Sequence, residues 1–413
     1  MTDPTSRPEQ VDPTARPEQI AIDPTTRPIP LASGRLGEEH ARFLADGSVH
    51  RVRLPDGAQA WLVTGYPEVR AALADPRLSL DKRNANGWSG FRLPPALDAN
   101  LLNLDPPDHT RIRRLVGPAF TAGRVDALRP AISRAAEELL DALPVPGPAD
   151  LVAGYAGPLP VTVICDLLGI PADRRADFRA WTNTLLVAAP PDPEAVRAAI
   201  GGLHGYLVEL LDDKRRRPGD DLLTALLAAR DDGDRLSTDE LTSLAFLILF
   251  AGYENSVSLI ATTTLRLLTD PPTRAVLRAD PGRLPAVIEE TLRLYPPGPV
   301  AIRRFPTTDV GIAGRVIPAG DTVLLSLAAA NRDPAAFPDP DDLDLDRAGG
   351  GHLALGHGIH HCLGAPLARA QAAIAVGALL RRRPDLALAV PVEAVRWRPS
   401  FRTLGLVDLP VIG

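Results

Sequence analysis

Cys362 stands in a stretch rich in glycine and histidine, and its thiol is the first candidate for chemistry. The surrounding glycines, which leave the backbone free to take unusual dihedral angles, are Gly356, Gly358 and Gly364. After them, Pro366 and a run of alanine and leucine predict a helix that ends in the basic residues 381–383. A thiol just before a helix N-terminus is expected to have a lowered pKa, because backbone amides and the helix dipole favour the thiolate. Such a thiolate can bind a metal ion or approach a planar cofactor.

The residue types of this stretch also allow two other interpretations. A single cysteine is most often a buried thiol in a packed core. The second alternative is zinc, since donors of the kind that bind zinc lie close together: His352, His357, His360, His361 and Cys362. Zinc sites usually draw their ligands from two separated places, and the sequence has no second such cluster, so zinc is disfavoured.

The same stretch resembles the haem-binding loop of bacterial cytochromes P450, whose pattern is Phe-Gly-x-Gly-x-His-x-Cys-x-Gly followed by Ala-Arg. The residues that match are Gly356, Gly358, His360, Cys362, Gly364, Ala368 and Arg369. Leu355 replaces the aromatic residue of the pattern. The resemblance implies that Cys362 is the proximal ligand of the haem iron and that His360 reaches a haem propionate. It also implies that the haem is contacted by Leu355, Gly356 and Gly364.

Composition limits the class of protein. A net charge of −6 and a pI near 5.8 argue against a nucleic-acid partner. The two cysteines, Cys165 and Cys362, cannot form a disulfide framework, which fits a reducing compartment. The N-terminus lacks the features of a signal peptide, and the longest apolar run, Leu244 to Gly252, is shorter than the roughly 20 residues that span a bilayer. We therefore expect a cytoplasmic protein with no membrane partner.

The first part of the chain predicts a tail, a hairpin and a loop. Residues 1–30 repeat the pattern Asp-Pro-Thr-x-Arg-Pro, which predicts a disordered, proline-rich tail before a single domain of residues 31–413. Residues 48–64 read as two strands joined by Pro55-Asp56-Gly57, and a helix follows from Pro67 to Ala74. The next interval, residues 77–100, is an irregular connection by itself, but the resemblance implies that its Trp88 and Phe91 contact substrate.

A basic helix is predicted after Pro106 and Pro107, with His109 and Arg113 four residues apart on one face. By itself this is a solvated basic face. The segment also resembles the family's haem-contacting helix, Asp-Pro-Pro-x-His-x-x-x-Arg, which implies that His109 and Arg113 bind propionates. Arg111 and Arg114, on other faces, are predicted to meet an acidic electron donor.

A long apolar helix is predicted from the capping box Ser237-Thr-Asp-Glu240 to about Leu268, roughly 45 Å in length. Glycine and a carboxylate are costly inside such a helix, so Ala251 to Ser256 predict a point where it opens to bind something. The resembling motif is Ala-Gly-x-Asp/Glu-Thr-Thr, which Ala251, Gly252 and Glu254 match. Asn255 and Ser256 replace its threonines. The resemblance implies that these five residues handle oxygen and protons.

Later segments carry fewer chemical signals. Glu290 and Arg293 form an i,i+3 pair that the resemblance identifies as a buried structural element. Arg304 matches the arginine that binds the second propionate. The resemblance also implies substrate contacts for the residues Val300, Ile302, Phe401 and Leu404.

Together these features predict a mainly α-helical cytochrome P450 fold with a small β region, binding one haem b. The implied reaction is O₂-dependent hydroxylation or epoxidation of a lipophilic small molecule, with a polyketide or macrolide-like natural product as the expected substrate. The sequence contains no flavin or iron–sulfur segment, so electrons are expected from a separate ferredoxin or flavodoxin, and the protein is expected to be a monomer. Alternatives are a coupling or ring-forming oxidase, which Asn255 leaves open, and a non-catalytic partner protein, against which the intact Cys362 and Glu254 weigh.

Overall fold

The computed structural model describes residues 26–31, 33, 35–87, 97, 100–144, 147–186, 192–229, 233–347 and 351–413. Trp88 and Phe91, and residues 1–25 of the predicted tail, lie outside this part of the chain. Arg27 and Pro28 form a short strand, and Ile29 is buried. The folded domain therefore begins before the predicted boundary at residue 31.

Most of the described chain is helical, and the helices pack around one central helix, Thr238–Thr269. The helices are α1 (Leu36–Ala45), α2 (Tyr66–Ala74), α3 (Asp108–Val116), α4 (Ala122–Ala142), α5 (Pro158–Leu168), α6 (Arg175–Leu186), α7 (Pro193–Arg216), α8 (Leu222–Ala228), α9 (Thr238–Thr269), α10 (Pro271–Ala279), α11 (Leu284–Leu294), α12 (Leu327–Ala330) and α13 (Ala365–Arg382). α9 packs against α5, α7, α11 and α13, so its side chains are buried on nearly every side.

The predicted start of α9 is confirmed. The Ser237 side chain accepts a hydrogen bond from the amide of Glu240, and the Glu240 carboxylate accepts one from the amide of Ser237. Among the described residues α9 is the one helix long and apolar enough to span a membrane. Of its most apolar window, 67% is buried inside the protein, as expected of a central core helix.

The β structure is small and divided among several sheets. The strands are β1 (Arg27–Pro28), β2 (Val49–Arg53), β3 (Gln59–Val63), β4 (Leu78–Ser79), β5 (Ala149–Asp150), β6 (Phe305–Pro306), β7 (Val310–Ile312), β8 (Arg315–Ile317), β9 (Val323–Leu325), β10 (Ala387–Leu388) and β11 (Pro410–Ile412). The largest sheet has the order β1-β2-β3-β9, and its antiparallel β2–β3 pair is the predicted hairpin. The other described sheets are β10-β11-β5, β4-β6 and β7-β8.

Two sets of ion pairs involve arginines that the sequence analysis singled out. The Arg293 guanidinium binds the Glu290 carboxylate through two hydrogen bonds of 2.8 Å, and both side chains are buried. Arg111 pairs with Asp234 at 3.1 Å and with Glu240, which connects α3 to the start of α9. The charge of Arg111 is therefore already compensated inside the chain, and its contact with an electron donor stays a prediction.

Candidate functional site

The loop before α13 holds Cys362 through backbone conformations that glycine permits. Gly356 and Gly358 have φ values of +75° and +73°, in the left-handed region. Gly358 also lies against α2, since a Cβ atom there would be 3.3 Å from the carbonyl oxygen of Leu73. Gly364 differs from the prediction, because its φ of −83° is open to any residue and it serves as the N-cap of α13. Across the loop, the Cys362 amide donates to the Leu355 carbonyl at 2.8 Å.

The groups around the Cys362 thiol shift its pKa in opposite directions. Burial is the largest influence and raises the pKa. Backbone amides of Gly364 and Ala365, together with the Arg113 and Arg369 charges, act in the opposite direction. The expected lowering by the helix N-terminus is therefore present but outweighed by burial. Coordination to a metal ion would remove the proton outright.

A group of basic side chains, two histidines and two arginines, lies beside this loop. The rings of His109 and His360 are 4.1 Å apart between centroids, and neither nitrogen of the buried His109 has a hydrogen-bond partner. Arg304 is also buried, and its two Nη atoms donate to the carbonyls of Leu78 at 3.1 Å and Leu73 at 3.2 Å. We call the set His109, Arg113, Arg304 and His360 the cationic cluster.

The pKa directions show that the cationic cluster is close enough to interact. Burial, followed by the charges of His109, Arg304 and Arg113, lowers the pKa of His360 to about 3. Burial likewise lowers the pKa of Arg304 to about 10. Within the described residues neither Arg113 nor Arg304 forms an ion pair; Arg113 donates to the His361 carbonyl at 2.7 Å. Buried cations without an anion are costly. The cluster therefore fits an anionic group that the described residues do not supply, as the two carboxylates of a haem would be.

The anomalous stretch of α9 stays helical. The helix continues without interruption from Thr238 to Thr269, so the predicted opening is not observed. A Cβ atom on Gly252 would lie 3.4 Å from Ile164 Cδ1, which indicates that this glycine allows close packing against α5. The Asn255 Nδ2 atom donates to the Ala251 carbonyl at 3.0 Å, and Ser256 is buried.

Glu254 lies between two cavities. It lines a cleft of about 1390 Å³ and also a cavity of about 510 Å³ that Arg398 and Tyr253 line as well. Burial raises the pKa of the Glu254 carboxyl, while Arg398, at 3.7 Å, and a hydrogen bond with Thr403 lower it. A carboxyl that lines both cavities is placed to exchange protons with either of them.

The larger cleft receives part of the predicted site. Ala251, Glu254 and Asn255 line it together with three of the expected substrate contacts, Val300, Ile302 and Phe401. Leu404 does not; it is fully buried in a small cluster with Leu36 and Ala328, so its predicted substrate contact is wrong. Residues of β2 and the C-terminal segment that the sequence did not suggest also line the cleft, among them Arg51, Arg53 and Arg402. The sequence feature that could have identified Arg51 and Arg53 is the alternation of side chains along β2, which places both on one face of the strand.

Comparison with known proteins identifies the class to which this fold and site belong. A family model described as Cytochrome P450 matches residues 283–383, an interval that contains Arg304 and Cys362. A relative 47% identical in sequence extends the similarity to 94% of the chain. The chain belongs to the cytochrome P450 family, and it is a haem-thiolate monooxygenase.

That relative is the cytochrome P450 monooxygenase PikC of Streptomyces venezuelae, of which 95% is covered. The chain is also 43% identical to the mycinamicin IV hydroxylase/epoxidase of Micromonospora griseorubida, over 92% of this chain and 95% of that protein. Among solved structures, the ligand-free P450 monooxygenase TamI superimposes with a TM-score of 0.86 at 45% identity, covering 94% of each chain.

Proposed function

We propose that the protein binds haem b, with Cys362 as the proximal ligand and the cationic cluster on the two propionates. The observation that carries this assignment is the set of buried and half-buried basic side chains beside the Cys362 loop, whose two arginines form no ion pair within the described residues. Charge-assisted hydrogen bonds from such groups contribute about 1.5–3 kcal/mol each, enough for several of them to hold a dianionic cofactor.

The residues of the loop would prepare Cys362 for that role. The amides of Gly364 and Ala365 point to the sulfur and lessen its negative charge. Leu355 fixes the cysteine backbone through the 2.8 Å hydrogen bond to its carbonyl, and its side chain is partly buried against the main core. When bound, a thiolate-ligated haem supplies the O–O bond cleavage on which oxygen insertion depends.

On the other side of the site, Glu254 is proposed to supply protons. Burial raises the pKa of its carboxyl, and its place between the two cavities gives it contact with both. Asn255 is proposed to orient a water molecule or a polar group of the substrate with its Oδ1 atom, because one of its amide hydrogens is already used on Ala251. Ala251 forms part of the cleft wall, whereas Gly252 and Ser256 support the packing of α9.

The proposed substrate is a polyketide or macrolide-like natural product, hydroxylated or epoxidised with O₂. One relative is named for the hydroxylation and epoxidation of mycinamicin IV, and a second solved structure of TamI contains tirandamycin C. The cleft volume of about 1390 Å³ supports a large substrate, since pockets for drug-sized ligands are about 300–1000 Å³. Val300, Ile302 and Phe401 would contact its apolar parts.

The electron donor is proposed to be a separate ferredoxin or flavodoxin, and the protein is proposed to act as a cytoplasmic monomer. Two cysteines in 413 residues, one of them assigned to iron, support a reducing compartment.

The test is spectroscopic and then chemical. Reduced protein under carbon monoxide should show the strongly red-shifted Soret band of thiolate-ligated haem, and Cys362→Ala should lose it. Cys165→Ala is the matched control, because Cys165 is a buried thiol elsewhere in the core. A panel of polyketides should then include compounds that shift the spin state and yield products with one added oxygen atom. Retention of the red-shifted band in Cys362→Ala would refute the assignment of the ligand.

A further inference from the structure

Arginines are prominent in the wall of the large cleft. Those that line it are Arg51, Arg53, Arg303 and Arg402, and the acids that line it are Asp56, Glu254 and Asp321. The whole chain has a net charge of −6, so a cationic cleft does not follow from the composition. The question is which of these charges are compensated by neighbours.

Arg51 is fully compensated. Its Nη1 atom is 3.2 Å from Asp321 Oδ2, its Nη2 atom donates to the Gln59 side chain at 3.0 Å, and its guanidinium lies over the Trp61 ring. Trp61 Nε1 donates to the same Asp321 oxygen at 2.9 Å. Arg51 and Asp321 therefore form a closed unit with no charge left for a ligand.

Arg53 and Arg402 are different. Arg53 lies two residues after Arg51 on the same face of β2, is half-buried, and has no side-chain hydrogen bond or ion pair in the described part of the chain. The Arg402 guanidinium stacks 5.2 Å from the Phe401 ring centroid, and no described carboxylate pairs with it. We call these two side chains the arginine pair.

Within the described residues, neither of the remaining acids forms an ion pair with the arginine pair. Glu254 lies 3.7 Å from Arg398, which is outside the lining of this cleft. Asp56 is exposed in the β2–β3 turn, and its Oδ1 atom accepts a hydrogen bond from the Ala58 amide at 3.0 Å. Four arginines against three carboxylates leave the described lining of the cleft with an excess of one positive charge.

Apolar surface adjoins the arginine pair. Leu54 and Phe401, the chain neighbours of the pair, pack with Val300 against the same small core of β2, β3 and β9. Ile302, on the same wall, is 42% exposed. Guanidinium groups beside exposed apolar side chains match a molecule that has an oxyanion attached to an apolar body.

We propose that the substrate is an acidic amphiphile, whose oxyanion is bound by Arg53 and Arg402 while its apolar body lies along Leu54, Val300 and Phe401. The oxyanion is a carboxylate. This inference rests on the proposed function in one respect, that the large cleft is the substrate site. It adds a selection by charge that would exclude cationic analogues of similar size.

The test measures spin-state shifts of the haem-loaded protein with matched probes. One set is dodecanoic acid, its methyl ester and dodecyltrimethylammonium; the second is deoxycholic acid and its methyl ester. At low salt the acids should bind about tenfold more tightly than the esters, which is the effect of one charge-assisted contact, and the cation should bind weakest. The preference for the acids should decrease as salt is raised.

The Arg53→Gln, Arg402→Gln double variant should bind acid and ester about equally, with ester affinity unchanged. Arg134→Gln, Arg315→Gln is the matched control, because both arginines are exposed and lie outside the cleft lining. Equal binding of acid and ester by the parent protein, an unchanged preference in the double variant, or no shift with either acid would overturn the proposal. These results are distinct from failure of the proposed function, in which the red-shifted carbon monoxide band itself would be missing.

Discussion

At the residue scale, Asn255 combines a helical hydrogen bond with a position on the cleft wall. Its Nδ2 atom is held by the Ala251 carbonyl at 3.0 Å, while the residue itself is exposed to the cleft. The sequence left open whether this side chain acts on water or only bonds a backbone carbonyl. The observed hydrogen bond uses one donor, and the Oδ1 acceptor is still available for water or substrate.

Asn255→Ala should therefore increase the fraction of electrons released as hydrogen peroxide, by about two- to twelvefold on the scale of one lost hydrogen bond of about 0.5–1.5 kcal/mol. The measurement compares NAD(P)H consumed, peroxide released and product formed with a reconstituted donor. Haem content and the carbon monoxide spectrum should be unchanged. Ser256→Ala is the control, because Ser256 is buried away from the cleft. Coupling equal to the parent in Asn255→Ala would leave only the structural role.

At the element scale, α11 is tied to the segment that leads into the Cys362 loop. Arg293 donates to the carbonyls of Asn331, Pro340 and Asp342, besides its two bonds to Glu290. Arg347 adds a hydrogen bond to the same Glu290 carboxylate at 3.1 Å. A single buried guanidinium thus connects a core helix to a long stretch with little regular structure of its own.

Arg293→Ala should lower the free energy of unfolding by about 3–5 kcal/mol, because it leaves the buried Glu290 carboxylate with a weaker set of partners. Chemical denaturation followed by circular dichroism measures the change. Arg129→Ala is the matched control: Arg129 and Asp126 have the same i,i+3 spacing at 2.7 Å but are exposed, so the expected loss is less than about 1 kcal/mol. Similar losses in both variants would contradict the assigned role of burial.

At the scale of the whole molecule, the haem would be bound by residues from several segments that are far apart in sequence. Arg304 comes from the segment before β6, His109 and Arg113 from α3, and His360 from the loop before α13. These segments are far apart in sequence, and an anion bound between them links them in space. Ligand that binds only the folded state stabilises that state in proportion to its affinity.

Haem retention and thermal stability should therefore change together. In Arg113→Ala, Arg304→Ala the haem should exchange to an acceptor protein at least tenfold faster, because each lost charge-assisted contact is worth about 1.5–3 kcal/mol. The gain in melting temperature on haem binding should also shrink. Arg134→Ala, Arg315→Ala, on the exposed surface, should change neither. Full haem occupancy with an unchanged melting temperature in the cluster variant would refute the convergence of these cations on the propionates.

The sequence by itself determined the class of protein and the local geometry of its motifs. The Cys362 loop, the capping box of α9 and the β2–β3 hairpin depend on residue types at short spacing, and short-range sterics and hydrogen bonds decide such features. The left-handed conformations of Gly356 and Gly358 and the reciprocal bonds of Ser237 and Glu240 are examples. The sequence motifs also named the four cations that the fold brings together, although their convergence required the fold.

Only the tertiary structure decided which side chains share a surface. Leu404 is next to a substrate-lining segment in sequence yet packs in the core, and Arg111 is compensated by residues more than a hundred positions away. The cleft wall combines β2 with segments near residues 300 and 400, so no local pattern could assign Arg53 and Arg402 to one site. The physical reason is that burial and charge compensation depend on packing between distant segments, whereas a sequence motif reflects only interactions between residues that are close together in the chain.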